Sequence, residues 1–210
     1  MKIRPANTRG VMRKSWITSL RTFSNNDYWN PRYMNWHCVK VINDDTQQPG
    51  GFVPNHEHKN YDILGYVVSG ELEHTDSLGN KVRARAGQIQ HMWCGRSIWH
   101  TERCIGDQPA RYLQLWITPA WDLNSAPRYE LIDKGPEFGA VPINFKQNIT
   151  VKGGILTENY TVSNAYLYIV EGSCTVNGTI LNEGDGAEIV TAETVTPGSF
   201  CHILSFEPQQ

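Results

Sequence analysis

The sequence predicts an all-β protein made of two antiparallel units, each a sandwich or barrel, on three observations. Short runs rich in Val, Ile, Leu, Tyr and Trp recur along the chain, separated by regular turns. The pair Asn177-Gly178 sits between two β-rich runs, the strongest short-range hairpin signal available. The two halves also look alike. Tyr66-Val67-Val68-Ser69-Gly70 lines up with Tyr168-Ile169-Val170-Glu171-Gly172, and Ala86-Gly87-Gln88 with Glu183-Gly184-Asp185, as an internal duplication would leave them.

The elements follow in order. Arg21-Thr22-Phe23-Ser24 reads as a short strand running into a turn at Asn25-Asn26-Asp27, and residues 37–43 read as a second strand that Asn43-Asp44-Asp45 ends. Gln48-Pro49-Gly50-Gly51 is a loop leading into His56-Glu57-His58. Residues 61–68 are β-rich until Gly70. Residues 71–76 alternate and turn at Ser77-Leu78-Gly79-Asn80, residues 81–85 run to Ala86-Gly87, and residues 89–93 and 98–102 flank a loop at Gly95. Residues 111–118 alternate with Leu113, Leu115 and Ile117 on one face. Residues 119–142 are rich in Pro, Gly and charge and read as the crossing between domains, set at 1–122 and 123–210. Strands resume at 165–171, which Gly172 ends, then at 174–176, 179–182 and 187–192.

A chain of 210 residues can bury one large core or two small ones. Its formal charge of −2 supplies no basic field to hold nucleic acid. No run approaches the ~20 apolar residues of a membrane span, and the basic opening stretch has no apolar segment behind it, so no secretory leader and no membrane contact are expected. Cys38, Cys94, Cys104, Cys174 and Cys201 lack paired spacing, which points to reduced thiols in the cytoplasm. The N-x-[ST] sequons at Asn148, Asn159 and Asn177 are read as chance.

The chemistry concentrates at His56-Glu57-His58 and His100-Thr101-Glu102. Strand residues two apart face the same side, ~7 Å apart, so two such pairs on neighbouring strands would aim four donors at one point. Three imidazoles and a carboxylate suit divalent iron, manganese, copper, nickel or zinc. Asp62 could add a ligand or hold a ligand imidazole. Shifting the ligand positions into the second copy lands on Glu158, Tyr160 and Pro197, so only the first copy carries the set. Phe52, Met92, Trp93 and Trp99 are assigned to the pocket wall, and Trp16, Trp29, Trp36, Trp116 and Trp121 to core or inter-domain packing. His74, in a charged hairpin, and His91 are read as surface or edge residues.

The ordered series Arg21-Thr22-Phe23-Ser24, Val41-Ile42-Asn43-Asp44-Asp45, Pro49-Gly50-Gly51-Phe52, His56-Glu57-His58-Lys59, Gly70-Glu71-Leu72-Glu73-His74-Thr75-Asp76-Ser77-Leu78-Gly79-Asn80, Cys94-Gly95-Arg96-Ser97-Ile98-Trp99-His100-Thr101-Glu102 and Gln114-Leu115-Trp116-Ile117 resembles the pirin family, bicupins within the cupin superfamily. The resemblance implies two antiparallel cupin (jelly-roll) barrels packed face to face. It implies mononuclear iron in the N-terminal barrel on His56, His58, His100 and Glu102. It also implies quercetin 2,3-dioxygenase activity, in which a flavonol heterocycle opens with O2 and loses carbon monoxide. Glu102 is then the catalytic base that takes the substrate's hydroxyl proton. The partners expected are a small hydroxylated aromatic and O2, with the chain a monomer. The alternative is a non-enzymatic, iron-dependent redox-sensing module or transcriptional co-regulator. Departures from the family pattern are Asp62 in place of Glu, and the bulky Trp93, Cys94 and Trp99 beside the third histidine.

Overall fold

The computed structural model describes residues 1–120, 122–143 and 149–209; Trp121 and the sequon residue Asn148 lie outside them. Strand is the dominant regular structure among the described residues, with one 3-10 turn at Ala6–Thr8. The strands up to residue 133 are β1 (Lys2–Arg4), β2 (Gly10–Lys14), β3 (Ile17–Arg21), β4 (Val39–Gln47), β5 (Phe52–His58), β6 (Asp62–Ser69), β7 (Glu71–Asp76), β8 (Lys81–Arg85), β9 (Gln88–Trp93), β10 (Ile98–Cys104), β11 (Ala110–Ile117) and β12 (Arg128–Asp133). The remainder are β13 (Gly139–Ala140), β14 (Ile149–Ile155), β15 (Tyr160–Val162), β16 (Ala165–Val176), β17 (Thr179–Asn182), β18 (Gly186–Ile189) and β19 (Glu193–Pro208).

Two compact units result, Gly10–Asp133 and Met1–Arg9 with Lys134–Gln210. Strand pairing draws this line away from residue 122. β1 pairs antiparallel with β18, which ties the first nine residues to the C-terminal unit. β12 pairs antiparallel with β9, which keeps much of the expected crossing inside the other unit. The Pro- and Gly-rich composition of 119–142 hid a strand whose side chains are mostly exposed.

The unit Gly10–Asp133 holds a seven-stranded sheet, ordered β12-β9-β6-β11-β4-β3-β2, and a four-stranded sheet, ordered β5-β10-β7-β8. Alternation explains which side chains turn inward. In β10, Ile98, His100, Glu102 and Cys104 are buried, while Trp99 and Arg103 are exposed. β4 runs past Asn43-Asp44-Asp45 to Gln47 because it is flanked by β3 and β11 on both sides. Arg111 of β11 clamps Asp44 with two 2.9 Å hydrogen bonds, a bidentate pair that satisfies a carboxylate inside a sheet. Trp29, expected in a core, is exposed.

The C-terminal unit is an eight-stranded sheet centred on β16 and β19. Gly172 does not end β16. Its positive φ of 73° lies in a register shift where β16 bends and continues to Val176. Leu167 and Ile169 of β16 join Cys174, Val176, Val195 and Ile203 in one apolar cluster.

Gly70 joins β6 to β7 at a φ of 76°, and a Cβ there would lie 2.6 Å from the Pro109 carbonyl oxygen. Gly70→Ala combines left-handed backbone with a clash against backbone and is expected to destabilise the unit by about 1–3 kcal/mol, read as a lower urea midpoint.

Candidate metal centre

β5 and β10 are antiparallel neighbours, with His56 opposite His100 and His58 opposite Ile98. The register places three imidazoles on one patch of the inner face. His56 Nε2 lies 2.9 Å from His58 Nε2 and 3.1 Å from His100 Nε2. His56 Nδ1 is 2.9 Å from the Pro54 carbonyl, an acceptor only, so its proton belongs there and Nε2 presents a lone pair. That one lone pair can accept from only one of its two neighbours, whereas a cation between the three nitrogens would satisfy all of them. Metal–nitrogen bonds of ~2.1 Å at right angles put donor nitrogens ~3.0 Å apart, which is the spacing found.

Glu102 follows His100 on the same face but stands to one side of the trio. Its carboxylate groups with His100 and His74, while His56, His58 and His100 form a cluster of their own. A register shift between His100 and Glu102 separates the two positions along β5. Glu102 Oε1 accepts from Gln90 Nε2 at 3.3 Å, and Gln90 Oε1 accepts from the Tyr129 hydroxyl at 3.1 Å. Glu102 Oε2 is buried with no hydrogen-bond partner. A buried carboxylate oxygen without a partner is costly, and a cation would supply what is missing. Among the described residues, both metal-capable clusters lie in the unit Gly10–Asp133.

Burial sets the electrostatics. It pulls the His58 imidazole down to about 3 and, with the neighbouring His56, keeps it a neutral donor. His100 falls to about 2 through burial and the adjacent His56, His58 and His74. Burial, reinforced by the Asp45 carboxylate, pushes Glu102 up to about 7, against the hydrogen bond from Gln90.

His56, His58 and Glu102 line a cavity of about 640 Å³ whose walls include Trp16, Tyr112 and Trp116. Trp116 meets the His58 ring edge-on with centroids 5.0 Å apart. Lys14 and Arg21 add cationic groups to the lining. Trp16 comes from the β2–β3 turn, and Tyr112 and Trp116 from β11, so this wall depends on sheet order that sequence periodicity does not carry.

The four residues assigned to the wall from sequence lie elsewhere. Trp99 points out of the sheet and is exposed, and Phe52 is exposed beneath the Arg103 guanidinium. Met92 packs with Ile63, Cys94 and Ile98 in a separate core cluster. Trp93 packs against His91 in a tilted arrangement, with ring centroids 4.4 Å apart. Asp62 is buried 3.8 Å from His91 Nε2 and belongs to neither metal-capable cluster. His74 and His91 are not surface residues: both are fully buried. His74 turns inward from β7 beneath His100, and the His91 Nδ1–H donates to Glu130 Oε1, 2.9 Å away.

The family described as Pirin matches residues 3–117, and that described as Quercetinase C-terminal cupin domain matches residues 146–207. A quercetin 2,3-dioxygenase of Escherichia coli K12 is 29% identical over 92% of this chain and 91% of its own length. A pirin-like protein of Caulobacter vibrioides is 31% identical over 92% of each chain. The crystal structure of a bacterial pirin from Escherichia coli in complex with nickel(II) superposes with a TM-score of 0.90 at 28% identity, covering 100% of this chain and 99% of that one.

His58→Ala and His100→Ala each remove one of the converging donors and should leave purified protein with far less metal than wild type under the same loading, measured by elemental analysis. A metal that also takes Glu102 would bind with a pH dependence set by this raised carboxyl. Below about 7 the metal must displace the Glu102 proton, so affinity weakens as pH falls and this contribution levels off above about 7. Glu102→Gln should bind more weakly but with a shallower slope of log Kd against pH, by ~1 proton between about pH 5 and 7.

Proposed function

The chain belongs to the pirin family, and from that premise we propose that it is a metal-dependent dioxygenase that opens a flavonol such as quercetin with O2. The observation that carries the proposal is three converging imidazole nitrogens and a partnerless buried carboxylate beside a cavity with aromatic walls. His56, His58 and His100 with Glu102 would hold the metal, proposed to be Fe2+, with manganese, nickel, copper and zinc as alternatives for such donors. Bound there, the metal supplies a Lewis acid that lowers the pKa of a substrate hydroxyl.

The chain's own groups do the rest. Glu102 Oε2 has no competing hydrogen bond and takes the substrate's hydroxyl proton. Gln90, held by Tyr129, fixes Glu102 Oε1 so that Oε2 keeps its place. Trp16, Trp116 and Tyr112 offer ring faces and edges to a planar polyphenol. Asn43 and Gln114 offer hydrogen bonds to its hydroxyls, and Lys14 favours an ionised one. The volume falls in the ~300–1,000 Å³ range of small-molecule sites. The proposed setting is a monomer in the cytoplasm, where the buried thiols of Cys94, Cys104, Cys174 and Cys201 stay reduced.

Iron-loaded wild type is expected to consume O2 with quercetin. Glu102→Gln reloaded with iron should lose about 10²-fold or more of that rate, because the amide cannot accept the proton. Absence of O2 uptake across flavonols and simpler catechols would overturn the enzyme reading in favour of the metal-dependent regulatory module.

A further inference from the structure

We propose that His74 and Asp76 are positioning residues that hold His100 as its Nδ1–H tautomer and thereby aim the His100 Nε2 lone pair at the metal. The inference rests on the reading of His56, His58 and His100 as donors. Its basis is a continuous chain of buried polar contacts behind His100.

β7 and β10 are hydrogen-bonded neighbours, with Asp76 opposite His100 and His74 opposite Glu102. Asp76 Oδ2 is 3.0 Å from His74 Nε2, and His74 Nδ1 is 3.3 Å from His100 Nδ1. On the far side of the same ring, His100 Nε2 faces His56 Nε2. His74 and His100 are fully buried, so water does not compete for these contacts. Tyr129 stacks on His74 with centroids 4.3 Å apart and planes 14° apart, which fixes the plane of the ring.

The direction of the chain follows from counting protons. Asp76 is itself immobilised. Its Oδ1 accepts the backbone N–H groups of Leu78 and Asn80 at 2.9 and 3.1 Å, and the Asn80 side-chain amide reaches both oxygens. A carboxylate bonded this way only accepts, so His74 carries its proton on Nε2. A neutral ring has one proton, and burial disfavours a second, which leaves His74 Nδ1 an acceptor. The proton in the gap between the two Nδ1 atoms therefore sits on His100. His100 Nε2 is then unprotonated, as a metal ligand must be. Metal-bound imidazoles commonly depend on such an acceptor behind them for orientation and basicity.

The test is 15N NMR of histidine-labelled, metal-free protein, combined with Ni(II) titration against a chelator. Wild type should show His100 protonated at Nδ1 and unprotonated at Nε2. In Asp76→Asn, the amide oxygen stays with the backbone N–H groups and its NH2 turns toward His74. The chain then reverses, His100 should switch to the Nε2–H tautomer, and Ni(II) affinity should fall ~10–100-fold. His74→Gln retains a donor toward Asp76 and an acceptor toward His100, so it should bind Ni(II) within a few-fold of wild type, whereas His74→Leu should lose ~10–100-fold. A wild-type His100 protonated at Nε2 overturns the proposal, as does equal Ni(II) affinity in His74→Gln and His74→Leu. The wild-type tautomer is read without metal or variants, so it decides the matter even if a variant fails to fold. Failure of the donor assignment shows separately, as wild type that does not bind Ni(II).

Discussion

Three imidazole nitrogens held about 3 Å apart on the inner face of a sheet are the constraint that the rest of the unit Gly10–Asp133 serves. With the His56 proton committed to the Pro54 carbonyl, His56 Nε2 only accepts, and its single lone pair serves at most one of its two close neighbours. Strict alternation along β10 fixes His100 and Glu102 inward, and the pairing of β5 against β10 brings His56 and His58 alongside. A slip of one residue in that register would turn every donor to the opposite face.

The layer of His100 and Glu102 is backed by a second layer of buried polar groups. Asp76 and His74 stand behind His100, and Tyr129 and Gln90 stand behind Glu102. The two supports meet where Tyr129 stacks on His74. β12, which carries Tyr129, thus reaches the site from the edge of the seven-stranded sheet, the strand that composition alone reads as linker.

What was legible in the sequence was local. The i, i+2 spacing of His56 with His58 and of His100 with Glu102 needs only the strand period to predict a shared face. The turns at Gly70, Gly87 and Gly95 are equally local, and each has a positive φ. The parts that depend on packing were not legible. Glu71-Leu72-Glu73-His74-Thr75-Asp76 reads as a solvated hairpin, yet its even-numbered side chains face inward. Asn43-Asp44-Asp45 reads as a strand end, yet Arg111 arrives from β11 to neutralise it. Trp99, next to His100 in sequence, and Trp93 lie outside the cavity, while Trp16 and Trp116 line it from distant strands. Adjacency along a strand puts neighbours on opposite faces, so Trp99 turns away from the side that His100 faces. Alternation within β16 likewise put Leu167 and Ile169 in the apolar cluster of the C-terminal unit.

The most direct measurement is anomalous X-ray scattering from crystals of the iron-loaded protein, collected on both sides of the iron absorption edge. One strong difference peak is predicted, bounded by the Nε2 atoms of His56, His58 and His100 and within reach of a Glu102 oxygen. A protein that holds iron elsewhere, or three imidazoles still in contact with no peak between them at full loading, would contradict a metal centre built on these donors.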